Sequence, residues 1–270
     1  MAAASLLEGS YNFRDTGGIP LRAGGETRSG VLYRSDALSG LTARGLEQLA
    51  ATPIGTVVDF RTPMERAMAP DRLPLTRSFR VVELALLEGA LTGLAQRAMQ
   101  AGATGDPDAA AAAVGQALGE LPALGDLYVS MLTHGGGAFA ELARLVAVAD
   151  PSSPDRAVLV HCTAGKDRTG VAIALLLDAV GADRDAVIAD YSSSEANLSG
   201  EWAAGMFALI DMMGVPRTPE LDALVAATPA SAIGEALDWV DRAHGGSAGY
   251  LRAGGLTDLE LSALRARLAA

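Results

Sequence analysis

In the first third of the chain the apolar positions fall into short runs bounded by Gly, Pro or Thr: "GVLYRS" (30–35), "TVVDF" (56–60) and "FRVVELAL" (79–86). Runs of that length and composition predict strands. Between the first two, "LTARGLEQLAA" predicts a helix capped by Thr42. Further on, "RAVLVH" (156–161) predicts a buried strand and "DRTGVAIALLLDAVG" (167–181) an apolar helix ended by Gly181. "GGAFAELARLVAVAD" (136–150) predicts another helix. Strands alternating with helices predict an α/β sheet with helices packed on it.

The Ala- and Gly-rich stretch 88–125 predicts two helices joined near "GATGDPD", either a surface insertion or a mobile lid. Thr218-Pro219 and Thr228-Pro229 each resemble an N-cap followed by proline at the first helical position. "TDLE" (257–260) forms a capping box for the last helix. With no fixed-period repeat and no long linker, the expectation is one domain over 1–270, helical through its C-terminal part 183–270.

Composition narrows the partners. The 270 residues are half apolar, one fifth charged and poor in aromatics, a globular balance. The formal net charge of −11, with no basic tract, argues against nucleic acid or an anionic membrane as partner. A negatively charged substrate then needs a local positive site. One cysteine forms no internal disulfide and requires no oxidising compartment. His134, His161 and His244 are widely spread, so neither a metal nor another cofactor is expected. The N-terminus lacks a basic n-region, and the apolar run "VAIALLLDAV" is too short to span a bilayer and carries Asp178. The expected location is the cytoplasm, although export without a signal peptide would leave no mark.

The single cysteine, Cys162, lies in "HCTAGKDRTG" (161–170), beside Lys166, the only lysine among 21 basic residues. Cys162 ends a predicted strand and Arg168 opens a predicted helix. Between them Thr163, Ala164, Gly165, Lys166 and Asp167 are small or polar. A loop bent around a helix start aims backbone N–H groups at one point, and with the helix dipole these make an anion site. The same field favours thiolate over thiol. Arg168 adds a planar fork that matches two phosphate oxygens. Nucleophile, cradle and clamp come from one segment. A nucleotide-binding P-loop is excluded, because Val160 and Asp167 stand where it needs Gly and Ser or Thr.

The spacing His-Cys-x5-Arg-Thr resembles the cysteine-based phosphatases. That resemblance implies thiolate attack on phosphorus, a cysteinyl-phosphate hydrolysed by water, and Arg168 stabilising the equatorial oxygens. It makes Thr163 to Thr169 the substrate-binding segment, with Thr169 placed to hydrogen-bond the sulfur and His161 holding the loop through backbone contacts. Sulfurtransferase loops are a residue shorter, arsenate-type reductases need more cysteines, and low-molecular-weight phosphatases carry their loop at the N-terminus.

Three further segments, "NFRDTGG" (12–18), "GVLYRSDAL" (30–38) and "VVDFRTPMER" (57–66), agree in order and spacing with the atypical bacterial tyrosine phosphatases of the mycobacterial tyrosine phosphatase B type. Weaker similarity runs from "ADYSSSEANL" to "GYLRAGGLTDLEL". The resemblance implies a cysteine-phosphatase fold with a central, mainly parallel sheet flanked by helices. It also implies a helical lid, for which 88–125 and 201–214 are the available segments. Lys166 is then expected to contact substrate phosphate and Asp167 to take part in proton transfer. No Trp-Pro-Asp loop exists, since Ala203 follows Trp202 and Val240 follows Trp239. Asp167 is therefore the first candidate for general acid and Asp59, at a strand end, the second, with a structural arginine partner an equal alternative for Asp59. In "NFRDTGG", Gly17 and Gly18 permit a tight turn and Arg14 and Asp15 are expected to pair. The expected substrate is a phosphorylated protein, on tyrosine and also on serine or threonine. The alternative is a phosphoinositide, because "CxxGKxRT" loops recur in inositide phosphatases. A phosphate-binding module without turnover would have lost Cys162 or Arg168, and both are present.

Overall fold

The computed structural model describes residues 7–86, 122–212 and 217–270. Strand β1 spans Arg14–Asp15, β2 Leu32–Ser35, β3 Ile54–Asp59, β4 Arg80–Glu83 and β5 Ala157–His161. They form a sheet in the order β1-β2-β5-β3-β4, with β1 antiparallel to β2 and the other neighbouring pairs parallel. The chain is thus α/β, with a mainly parallel sheet flanked by helices. The expected strands are all present; β2, β4 and β5 are shorter than their apolar runs, β3 starts two residues earlier, at Ile54, and β1 is an edge strand that the turn-like "NFRDTGG" did not suggest.

Helix α1 (Ala43–Ala50) links β2 to β3, α2 (Pro63–Met68) links β3 to β4, and α3 (Leu124–Val148) and α4 (Asp167–Ala179) bracket β5. Helices α5 (Arg184–Leu198), α6 (Glu201–Met212), α7 (Pro219–Ala226), α8 (Ala230–His244), α9 (Ser247–Ala253) and α10 (Asp258–Leu268) follow. Strand β5 is buried throughout, and its alternate residues feed two cores. Val158 and Val160 pack with Val58, Phe60 and helices α3, α4 and α8, whereas Ala157 and Leu159 pack with Phe13, Tyr33, Leu41 and Leu49.

Helix α4 is apolar all round and is accordingly buried from Arg168 to Ala179. Burying one Leu, Ile or Val side chain contributes roughly 1.5–3 kcal/mol, and Val171, Ile173, Leu175, Leu176 and Leu177 are all in the core. That anchorage fixes the first turn of α4, and with it the loop from Cys162 to Lys166.

Local capping follows the sequence at most sites. Thr42 accepts from the Gly45 N–H, Thr218 from the Leu221 N–H, and Thr257 with Glu260 completes a capping box. Thr228 does not cap: α8 has Pro229 at its N-cap, and the Thr228 hydroxyl donates instead to Ser192 O at 2.9 Å. Helix α3 starts at Leu124, twelve residues before the expected Gly136. Gly135 is not a boundary but a close approach, because a β-carbon there would lie 2.9 Å from Leu86 Cδ2 and from the Phe139 ring. The insertion expected at 88–125 falls outside the described residues except for its last part, which opens α3. Helix α6 exposes Leu209 and Met212. Among the described residues no helix is long and apolar enough to cross a membrane.

Candidate active site

Open α/β sheets bind ligands at the carboxyl ends of their parallel strands, and the loop 162–166 leaves β5 there, between the ends of β2 and β3. Residues from β2, from the turn that follows it and from the N-terminal segment hold its backbone. Thr163 O accepts from the Ala37 N–H at 3.0 Å, Ala164 O from Asn12 Nδ2 at 3.1 Å and Gly165 O from Arg34 Nη2 at 2.7 Å. Gly165 has φ +68°, and a β-carbon on it would lie 2.2 Å from Ser35 O, so glycine is required twice over.

Arg34 is itself braced by Asp190 of α5, whose Oδ2 it meets at 2.6 Å, and Arg14 Nε reaches Oδ1 of the same carboxylate at 2.9 Å. Burial would push the Asp190 carboxyl up, but the charges of Arg34 and Arg14 hold it below the usual range. Arg14 thus pairs with Asp190 and not with Asp15. Successive strand residues face opposite sides, and Asp15 instead accepts the N–H groups of Gly17 and Gly30 at 2.9 and 2.7 Å.

Cys162 is 2% exposed at the end of β5. Arg168, on the first turn of α4, forks onto Glu65 of α2, with Nη1 2.8 Å from Oε2 and Nη2 2.6 Å from Oε1. Glu65 also accepts from the Thr62 N–H in a capping box and from the Thr163 hydroxyl at 2.8 Å. Burial would raise its carboxyl, but the hydrogen bonds and charge of Arg168, with those two donors, bring it down to about 2. Glu65 was not singled out from the sequence. Its one visible signal was local, the "TPME" capping box at the head of α2.

Lys166 is fully buried, its Nζ donating to Asp167 Oδ1 and to Ala227 O, both at 3.2 Å. Ala227 closes α7, so the chain that leads through α6 and α7 ends against the loop. Ala227 lies beyond 201–214, one of the two segments expected as a lid, and the other, 88–125, lies almost wholly outside the described residues. The Asp167 side chain is 28% exposed, and its Oδ1 also accepts from the Tyr128 hydroxyl of α3 at 2.6 Å. The Tyr128 oxygen lies 2.7 Å from that of Tyr191. Burial, and then the neighbouring Asp167 and Tyr191, push the Tyr128 phenol well above its ordinary value. Tyr128 and Tyr191 too were missed: nothing near Tyr128 in sequence marks it, and Tyr191 lies in the weakly similar "ADYSSSEANL" without a sign of its partner. The Thr169 hydroxyl is buried and makes no hydrogen bond among the described residues, to the sulfur included.

Asp59 lies behind the loop and is 1% exposed. Its Oδ1 accepts from Arg61 N and Nε at 2.8 and 3.0 Å, and its Oδ2 from Arg61 Nη2 at 2.9 Å. The same Nη2 is 2.8 Å from Asp71 Oδ2. His161 joins this group, with Nε2 3.2 Å from Asp71 Oδ2 and Nδ1 3.2 Å from Cys162 O, so it touches the loop backbone. The ligand atoms of Asp59, Asp71 and His161 lie within 4.8 Å of one another, a closeness that the spacing of the histidines does not reveal. Arg61 already supplies the positive charge between the two carboxylates, so a metal ion would face a guanidinium there.

Comparison with known proteins gives a consistent picture. The tyrosine phosphatase family matches residues 5–270. A tyrosine-protein phosphatase of Nostoc commune is 29% identical over 247 residues, covering 88% of this chain and 74% of the relative. The triple specificity protein phosphatase PtpB of Mycobacterium tuberculosis is 28% identical over 280 residues, covering 97% of this chain and 98% of the relative. Among solved structures, Pseudomonas aeruginosa TpbA is similar over 67% of this chain and 87% of its own, at 18% identity and a TM-score of 0.33. With the family match running from residue 5 to the last residue, through the loop that joins Cys162 to Arg168, the chain belongs to the tyrosine phosphatase family and is a phosphatase.

Proposed function

We propose that the chain hydrolyses phosphotyrosine in proteins through a cysteinyl-phosphate on Cys162, with Arg168 as phosphate clamp and Asp167 as general acid and base. One observation carries this reading. Cys162 and Arg168 stand at the two ends of a strand-to-helix turn, and Glu65 holds the guanidinium by both terminal nitrogens.

In the first step the Cys162 thiolate forms a bond to phosphorus as the bond to the tyrosyl oxygen breaks. Asp167 delivers its proton to that oxygen, so that tyrosine leaves neutral. In the second step water attacks phosphorus, Asp167 takes the water proton, and the thiolate leaves with inorganic phosphate formed. Backbone N–H groups of residues 163–168 and the guanidinium N–H groups of Arg168 that Glu65 does not hold face the phosphoryl oxygens in both steps. Asp167 is favoured over Asp59 as the acid because Asp59 has both oxygens taken by Arg61 and lies behind the loop. Thr169 would meet the sulfur only as the thiolate departs. No metal takes part in these steps.

The triple specificity of the mycobacterial relative supports a substrate class wider than phosphotyrosine, and phosphoserine and phosphothreonine are the proposed extension. A second reading, a phosphoinositide phosphatase, rests on Lys166, whose compact ammonium on a flexible stem suits an extra phosphate once Ala227 releases it.

The test is phosphate release from a phosphotyrosine peptide with EDTA present. Wild type is expected to turn over and Cys162→Ser to be inactive; a serine variant with wild-type rate would end the cysteinyl reading. Run beside it on phosphoinositide vesicles, Lys166→Gln is expected to lose more rate on lipid than on peptide if the second reading holds.

A further inference from the structure

Oδ1 of Asp167 is used up by two donors, the Tyr128 hydroxyl at 2.6 Å and Lys166 Nζ at 3.2 Å, and among the described residues Oδ2 makes no hydrogen bond. A proton on Oδ1 would point at one of those donors. We infer that Tyr128 is a positioning residue for the general acid, fixing the Asp167 carboxyl so that Oδ2 carries the transferred proton, with Tyr191 orienting Tyr128 from behind. This rests on the reading of Asp167 as the acid.

The geometry argues for a dedicated device. Tyr128 comes from α3, thirty-nine residues away from Asp167 in sequence, and its ring is buried edge-on against that of Tyr191, with centroids 6.0 Å apart and planes at 83°. Both rings are locked by packing, so the hydroxyl–hydroxyl–carboxylate line is pre-set. A hydroxyl has one proton, and that of Tyr128 is committed to Asp167, so Tyr191 donates to the Tyr128 oxygen. The burial of both phenols keeps that proton order. As Asp167 gives up its proton to the leaving oxygen, negative charge develops on its carboxylate. The hydrogen bonds at Oδ1, strengthened by the charge, then stabilise the product of that transfer. In the second step the same contacts keep Oδ2 turned toward the attacking water.

The contribution is separable from a structural one by the leaving group. A phenol of pKa about 10, such as tyrosine, needs protonation as it departs, whereas an acidic phenol leaves unaided. The experiment therefore compares kcat/KM, which reports the steps only as far as departure of the phenol, on a phosphotyrosine peptide and on an aryl phosphate of an acidic phenol for wild type, Asp167→Asn, Tyr128→Phe and Tyr191→Phe. Melting temperatures are recorded in parallel. Tyr128→Phe is expected to lose about 10-fold on the peptide and less than about 2-fold on the activated ester. Tyr191→Phe should lose about 2- to 3-fold in the same selective way, and it carries the test if Tyr128→Phe fails to fold. Equal losses on both substrates in the Tyr variants, with Asp167→Asn selective, would overturn the positioning role alone. Equal losses in Asp167→Asn would overturn the acid reading, and the positioning role with it.

Discussion

Asp59 and Asp167 are the same side chain on either side of one loop, and their surroundings sort them. Asp59 accepts three N–H groups of Arg61 on its two oxygens, two residues away, and is sealed behind the loop with His161 and Asp71. Asp167 opens α4, is partly exposed, and spends one oxygen on Tyr128 and Lys166. A carboxylate with both oxygens occupied by a guanidinium is an anchor, because giving it a proton would break a buried ion pair. One that keeps an oxygen free at the mouth of an anion cradle can exchange protons with a bound ester. Glu65 belongs with Asp59 in this respect: both its oxygens hold Arg168, and its low carboxyl value reflects a group kept ionised as a fixture.

The contrast fails first, if it fails, at Asp167. Asp167→Asn is expected to lower kcat on a phosphotyrosine peptide by about 10²- to 10⁴-fold, with a melting temperature close to wild type. Asp59→Ala should do the reverse, costing about 3 kcal/mol in urea unfolding by stranding part of the buried Arg61 charge, while kcat per folded molecule stays within about 3-fold. An exchange of these two outcomes would move the acid to Asp59.

Glu65→Gln sharpens the anchor side. Its kcat is expected to fall about 10-fold through a looser Arg168. Its pH dependence has a definite sign. The wild-type carboxyl titrates at about 2 in the folded chain against an ordinary 4.5, so its stabilisation is whole above about pH 4.5 and fades as pH falls toward 2. The stability gap between wild type and Glu65→Gln should therefore close across that window, and a constant gap from pH 5 to 2 would remove the argument. The smallest effect is expected from Lys166→Arg, a few-fold loss in turnover. The wider guanidinium must fit a fully buried site and cannot keep both 3.2 Å contacts.

Much of the frame was visible along the chain. The runs ending at Ser35, Phe60 and His161 became β2, β3 and β5, and the apolar stretch after Arg168 became the buried helix that anchors the loop. Thr42, Thr218 and the "TDLE" box cap helices because capping is decided within four residues of sequence. The same local signals misled where packing intervened. Gly136 looked like a helix start and lies inside α3, and at its neighbour Gly135 the absence of a side chain lets Leu86 and Phe139 come close. Thr228 found Ser192, and not the first turn of α8.

By itself the sequence determined the loop that carries the proposed nucleophile and clamp, and the sheet that presents it, since these depend on the identity of adjacent residues and on the period of apolar positions. It did not determine which acid is anchored and which is free. Arg168 meets Glu65 across 103 residues, Tyr128 meets Asp167 across 39, and Arg14 meets Asp190 across 176. No periodicity records such pairs. They exist because the sheet and α4 bring distant side chains into one dry volume, where each charge or hydroxyl must find a partner or bear the cost of burial.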